Sequence, residues 1–156
     1  MTVDLEAEFK RRVSALREAL ERVDGPLSEL RHQLRERICS MKRHDLKHAF
    51  ELTPLYSGLL SIEGYVGSAL LDFRNFPCTD TAKRRRVPGS RYGTCLAVIG
   101  CGALKDQLYY VYHSLKSDPS TGDIECTVLK EVADILASET SYLPNLTLPT
   151  AGRKRR

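Results

Sequence analysis

The stretch from Phe9 to Met41, FKRRVSALREALERVDGPLSELRHQLRERICSM, decides the fold. Its apolar residues Phe9, Val13, Leu16, Leu20, Val23, Leu27, Leu30 and Leu34 step by 4, 3, 4, 3, 4, 3 and 4, and Met41 follows one heptad later. On a helix this spacing lines up one apolar stripe, and holding it over about four heptads reads as coiled-coil-like. A soluble chain rarely leaves so long an apolar strip in water. The stripe therefore predicts self-association, with Val13, Leu16, Leu20, Val23, Leu27, Leu30 and Leu34 as the seam of a homo-oligomer, in the first instance a dimer. Asp24-Gly25-Pro26 interrupts the pattern. Proline lacks the amide proton and crowds the preceding turn, so a kink or break is expected there. The four-residue step from Val23 to Leu27 keeps the stripe in phase, which favours a kinked continuous rod over a folded-back helix pair.

Downstream, Thr53-Pro54 offers a capping hydroxyl and a first-turn proline, and Leu55, Leu59, Ile62, Val66, Leu70 and Phe73 recur at helical spacing. Gly58, Gly64 and Gly67 each cost about 1 kcal/mol relative to alanine inside such a helix. Pro77 closes the segment, and residues 78–93 read as an exposed basic loop. For residues 94–116 two readings stand side by side. Leu104, Leu108, Val111 and Leu115 step as in a helix, whereas Leu96, Val98 and Tyr109 to Tyr112 suit a β-hairpin. Ile124, Val128, Val132, Ile135 and Leu136 predict a last helix ending near Glu139, with Ser120 and Asp123 as caps. The expected fold is mostly α: a coiled-coil-like helical region at 1–48, a small helical bundle at 49–142 that turns α+β if the hairpin forms, and a basic flexible tail at 143–156.

The chain has 156 residues, 42% hydrophobic and 28% charged, enough for one domain with its own core. The net charge is +4, and residues 153–156 supply all of it. Charge is nonetheless segregated. Positions 83–91 hold five basic residues and no acid, while 92–152 hold three basic and seven acidic. No charged stub followed by an apolar run opens the chain, and the apolar run 55–71 carries Glu63 and three glycines, so neither export nor a membrane span is expected. Five cysteines in a chain without an export signal are read as reduced thiols in the cytoplasm or nucleus.

Three basic elements carry the functional expectation. Lys83, Arg84, Arg85, Arg86 and Arg91 form one run and Arg153, Lys154, Arg155 and Arg156 another, and such runs attract phosphates and are read by nuclear import receptors. Arg31, Arg35, Arg37, Lys42 and Arg43 make the third, in a segment up to Lys47 whose acids are Glu36 and Asp45 alone. The leading expectation is a homo-oligomeric regulatory or interaction protein directed to the nucleus. The alternative is sequence-independent RNA or DNA binding by the 31–47 helix and the 83–91 loop.

Other constellations weigh less. Cys39, His44 and His48 have a spacing that zinc ligands use, but a fourth ligand is missing and no C-x2-C pair preorganises one, so no metal or other cofactor is expected. Leu96–Ala103 has the apolar run and paired glycines of a dinucleotide-binding turn. Lys105 stands where the third glycine belongs, and too little chain follows for a doubly wound sheet. Tyr109, Tyr110, Tyr112 and His113 cluster and are candidates for stacking on bases. No nucleophile, paired-carboxylate or metalloprotease motif is present, so an enzyme is not expected.

Overall fold

A computed structural model describes residues 5–75, 85–86, 93–94 and 96–146. Among these residues the fold is four helices, α1 (Leu5–Met41), α2 (Leu46–Asn75), α3 (Leu96–Ser117) and α4 (Thr127–Leu146), with a two-residue antiparallel ladder, β1 (Arg85–Arg86) and β2 (Gly93–Thr94), between α2 and α3. Arg85 pairs with Thr94 and Arg86 with Gly93. Each helix packs on the next and α4 returns to α1, while the diagonal pairs barely touch. The result is an antiparallel up-down-up-down bundle. Its cross-helix pairs set the directions: Arg12 meets Glu139 and Arg37 meets Asp123 across α1 and the α4 side, and Arg31 meets Glu63 across α1 and α2.

The stripe of α1 is the spine of this bundle. Leu16, Leu20, Val23, Leu27 and Leu34 are fully buried, and Val13 and Leu30 nearly so. They pack with Leu59, Ile62 and Val66 of α2, Leu104, Leu108 and Leu115 of α3, and Leu129, Val132 and Leu136 of α4 in one continuous core. The strip expected to seek a second chain is thus covered by the chain's own helices, which removes the reason for placing an oligomer seam there. The boundary expected near residue 48 falls inside this same core, since Ala49 and Leu52 of α2 belong to it.

Pro26 does not end α1. The helix runs for 37 residues with the proline inside it. Proline has no amide to donate to the Arg22 carbonyl, and Arg22, Asp24 and Gly25 are exposed residues, so the loss falls on the side of the helix away from the core. Burial of Val23 and Leu27 on either side outweighs the loss. The rod reading therefore holds.

The start expected at Thr53-Pro54 does not. Helix α2 begins at Leu46, seven residues earlier, because Asp45 caps it: the His48 amide donates to Asp45 Oδ1 at 3.1 Å. Thr53 is then an interior residue whose hydroxyl donates to the Ala49 carbonyl at 3.0 Å, and Pro54 sits on the exposed face.

The β-hairpin reading of 94–116 is also overturned. Residues 96–117 are helix α3, and among the described residues of 94–116 only Thr94 takes part in a strand pair. Cys101, Leu104, Leu108, Val111 and Leu115 are buried at steps of 3, 4, 3 and 4, so the core stripe outweighs the strand preference of the tyrosines and valines. The same helix absorbs Leu96–Ala103, which is no strand and turn. The last helix starts later and ends later than expected, at Thr127 and Leu146, with the Thr127 amide on Glu125 Oε1 at 2.8 Å. Residues 143–146, assigned to the tail from sequence, are helical.

Two short connections close one end. The turn at 42–45 joins α1 to α2, and 118–126 joins α3 to α4. In the second, Thr121 is fully buried and its hydroxyl donates to the Leu115 carbonyl at 2.9 Å, closing the end of α3. Glycine suits position 122, since a Cβ would come within 3.2 Å of the Asp118 carbonyl oxygen, tighter than ordinary contact.

Replacing Leu20, central in the stripe and fully buried, by alanine should lower unfolding stability by about 3 kcal/mol in a urea titration monitored by circular dichroism. A loss near zero would place α1 outside the core.

Candidate functional site

The turn end of the bundle carries a polar cluster. His48 Nε2 lies 2.8 Å from Asp118 Oδ2 and 3.1 Å from Ser120 Oγ. Ser120 donates from both its hydroxyl and its amide to Asp118 Oδ1, at 2.6 and 2.8 Å. Arg37 reaches across from α1, forking onto Asp123 at 2.9 and 3.2 Å and donating to the Ser120 carbonyl. Partial burial pushes the Asp118 carboxyl up, but the hydroxyl and amide of Ser120 and the His48 ring outweigh it and hold it below the ordinary 3.8. The Arg37 guanidinium holds Asp123 below 3.8 as well. These bonds tie α1, α2 and the 118–126 connection together, and the sequence signalled none of the long-range pairs.

That network divides the basic residues expected on α1. Arg31 donates from Nε to Glu63 Oε2 at 2.8 Å, and Arg37 is held by Asp123, so both are engaged inside the chain. Arg35, Lys42, Arg43 and Lys47 remain exposed near the turn end. Lys83, Arg84, Arg91 and Arg153 to Arg156 lie outside the described residues, and of the first run Arg85 and Arg86 enter the description as backbone in β1.

The described helices nevertheless say where the two runs are attached. Arg12, near the start of α1, bonds Glu139, near the end of α4, at 2.9 Å. Asp72, near the end of α2, and Gly100, near the start of α3, line the same groove. Because α1 and α2 are antiparallel, these two pairs belong to the same end of the bundle, opposite the 42–45 turn. The chain between Asn75 and Leu96 contains Lys83 to Arg86 and Arg91, and the chain after Leu146 contains Arg153 to Arg156. Both runs are tethered to that one end.

The aromatic cluster is elsewhere. Tyr109 to His113 lie 13 or more residues into α3, about 20 Å from that end at 1.5 Å per residue. The Tyr109 hydroxyl donates to Asp134 on α4, which, with partial burial, pushes its pKa up to about 12. Tyr112 packs against the core with its ring edge-on to His113, 5.2 Å between centroids, and only Tyr110 of the three is exposed, at 67%. Tyr109 and Tyr112 thus serve the α3–α4 contact and the core, while Tyr110 faces solvent.

Cys39 and His44 are exposed, His48 is spent on Asp118, and no group of three or more candidate metal ligands forms among the described residues. The structure does not gather the Cys39, His44 and His48 set. No helix among the described residues is long and apolar enough to cross a membrane.

One surface was missed in the sequence. Leu46, Phe50, Leu60 and Leu71 of α2 are 52%, 63%, 44% and 52% exposed. They lie on the face opposite Leu52, Leu55, Leu59, Ile62 and Val66, so α2 is apolar on two sides. The signal was present as a second 4-3 spacing, masked by the stronger stripe beside it. Gly58, Gly64 and Gly67 meet no atom within 4 Å at the position a Cβ would take. Close packing inside this chain therefore does not explain them, and their helix cost of about 1 kcal/mol each is borne without an internal return.

Two measurements check this description. A carboxylate held below its ordinary pKa contributes stability that is complete above the unfolded value and is lost as pH falls through the lowered one. The melting temperature should therefore drop as pH falls below 3.8, and Asp118→Asn should lower the neutral melting temperature while flattening that acid loss. Cys101 is buried, and burial pushes its thiol up to about 12, whereas Cys39 is exposed. Alkylation mapped by mass spectrometry should modify Cys39 in the native protein and Cys101 only after unfolding.

No protein-family model matches the chain, and no curated protein or solved structure is similar enough to match it.

Proposed function

We propose that the protein is a small helical binding module that engages nucleic-acid phosphates, independently of sequence, through its two basic runs. The observation that carries this reading is their attachment to one end of the bundle. Five basic residues stand between Asn75 and Leu96 and four follow Leu146. Binding by one run brings the other to a high effective concentration near the same phosphates, so two modest contacts act as one strong one. The contact is electrostatic and releases counterions, with no base-edge reading and no catalytic step. Arg31 and Arg37, engaged by Glu63 and Asp123, stay out of it. Arg35, Lys42 and Arg43, exposed at the opposite end, form a separate and weaker positive patch. The same two runs are what a nuclear import receptor reads, and we place the protein in the nucleus as well as the cytoplasm on that basis.

Fluorescence anisotropy with a short single-stranded RNA and a short DNA duplex tests the reading. Between 50 and 200 mM salt, binding to the duplex should weaken by roughly 500-fold or more and to the single strand by roughly 130-fold or more, for five or more phosphates neutralised. Changing Lys83, Arg84, Arg85 and Arg86 together to alanine should lower the magnitude of the salt slope by about 3 to 4, as should changing Arg153 to Arg156. Changing both runs should abolish binding, while Arg35→Ala should leave it within about twofold. Equal affinity of the wild-type and doubly neutralised proteins at low salt would refute the reading.

A further inference from the structure

Among the described residues the bundle buries every apolar stripe except one. On the outer face of α2, Leu46, Phe50, Thr53, Ser57, Leu60, Gly64, Gly67 and Leu71 step by 4, 3, 4, 3, 4, 3 and 4, all exposed, with no charged residue among them. This is a complete heptad stripe about 38 Å long, of the kind that packs against another helix. A helix that is apolar all round is ordinarily covered all round.

We propose that this face is covered by the same face of a second copy, the two α2 helices running antiparallel about a twofold axis between Ser57 and Leu60. The stripe is complementary to its own reverse. Setting it against itself end to end places Leu46 opposite Leu71, Phe50 opposite Gly67, Thr53 opposite Gly64 and Ser57 opposite Leu60. The largest side chain thus meets a glycine, and the three inner layers each pair a larger residue with a smaller one. In a twofold interface each such layer occurs twice. A parallel pairing would oppose Phe50 to Phe50 and leave the glycines facing one another across a gap. Antiparallel pairing also brings Lys47 to the end where Asp72 of the second copy lies, so opposite charges meet at both ends.

The area is sufficient. Leu46, Phe50, Leu60 and Leu71 together expose on the order of 400 Å². With the small residues between them and their flanks, two copies would remove about 1,200 Å² in total, the lower edge of a standard stable interface. Gly64 and Gly67, which nothing within the chain explains, then acquire a reason: they let the second backbone approach. This interface shares no residue with the basic runs, so it stands or falls independently of phosphate binding.

Light scattering of the full chain after size exclusion, without nucleic acid, should give twice the 17.6 kDa chain mass at about 100 µM, dissociating at micromolar dilution. Gly67→Leu places a side chain in open space on the monomer, so its circular dichroism and melting should match or exceed those of the wild-type monomer. It should nonetheless weaken dimerisation tenfold or more by opposing Phe50 of the second copy. Phe50→Ala should weaken it similarly, and the double variant Phe50→Ala with Gly67→Leu, which exchanges large for small across the same layer, should restore most of the dimer. A monomeric mass throughout the concentration range overturns the proposal and leaves the face to a helix of another protein. A dimer indifferent to Gly67→Leu, or a double variant weaker than either single one, overturns this antiparallel interface.

Discussion

Burial of the α1 stripe is the constraint from which the remaining structure follows. Leu16, Leu20, Val23, Leu27 and Leu34 lie along one side of a 37-residue helix, and every other helix contributes a stripe to cover them. No shorter helix covers such a rod alone. Helix α2 takes one flank and α4 the other, and α3 closes the space between those two. The core is then continuous from Val13 to Met41, and the prolines lie inside α1 and α2 while the stripe residues around them stay packed.

Closing the bundle sorts the polar residues by end. Short connections at one end demand specific closure, supplied by Asp45, Asp118, Ser120, Thr121 and the Arg37–Asp123 fork. The opposite end receives the start of α1, the end of α4 and the chain joining α2 to α3. The basic runs are far apart in the sequence, and antiparallel topology puts the helix ends from which their segments depart, Asn75, Leu96 and Leu146, on the same side of the bundle.

Helix α2 stands apart from its neighbours. Helices α1 and α4 are amphipathic, with charge on the solvent side, and pay their way in the bundle alone. On α2 the face turned from the core keeps Leu46, Phe50, Leu60 and Leu71 and spends helix stability on three glycines. An apolar outer face of this kind is a cost to a monomer and a use to an assembly.

The heptad spacing from Phe9 to Leu34 determined that α1 is one long helix, and the phase kept across Pro26 determined that it does not fold back. Periodicity likewise marked Leu55 to Phe73 and Leu104 to Leu115 as helical faces. Spacing specifies which residues share a face, because it is a local geometric property of the backbone. What covers a face depends on residues far away in the chain, and there tertiary structure decided. It turned the expected oligomer seam into an internal core, made 96–117 a helix where strand-forming side chains competed, and started α2 at Leu46 because the Asp45 carboxylate meets the His48 amide. It also engaged Arg31 and Arg37 with carboxylates 32 and 86 positions away, leaving Arg35, Lys42 and Arg43 to solvent. Those pairings are set by how antiparallel helices align, which no local pattern encodes.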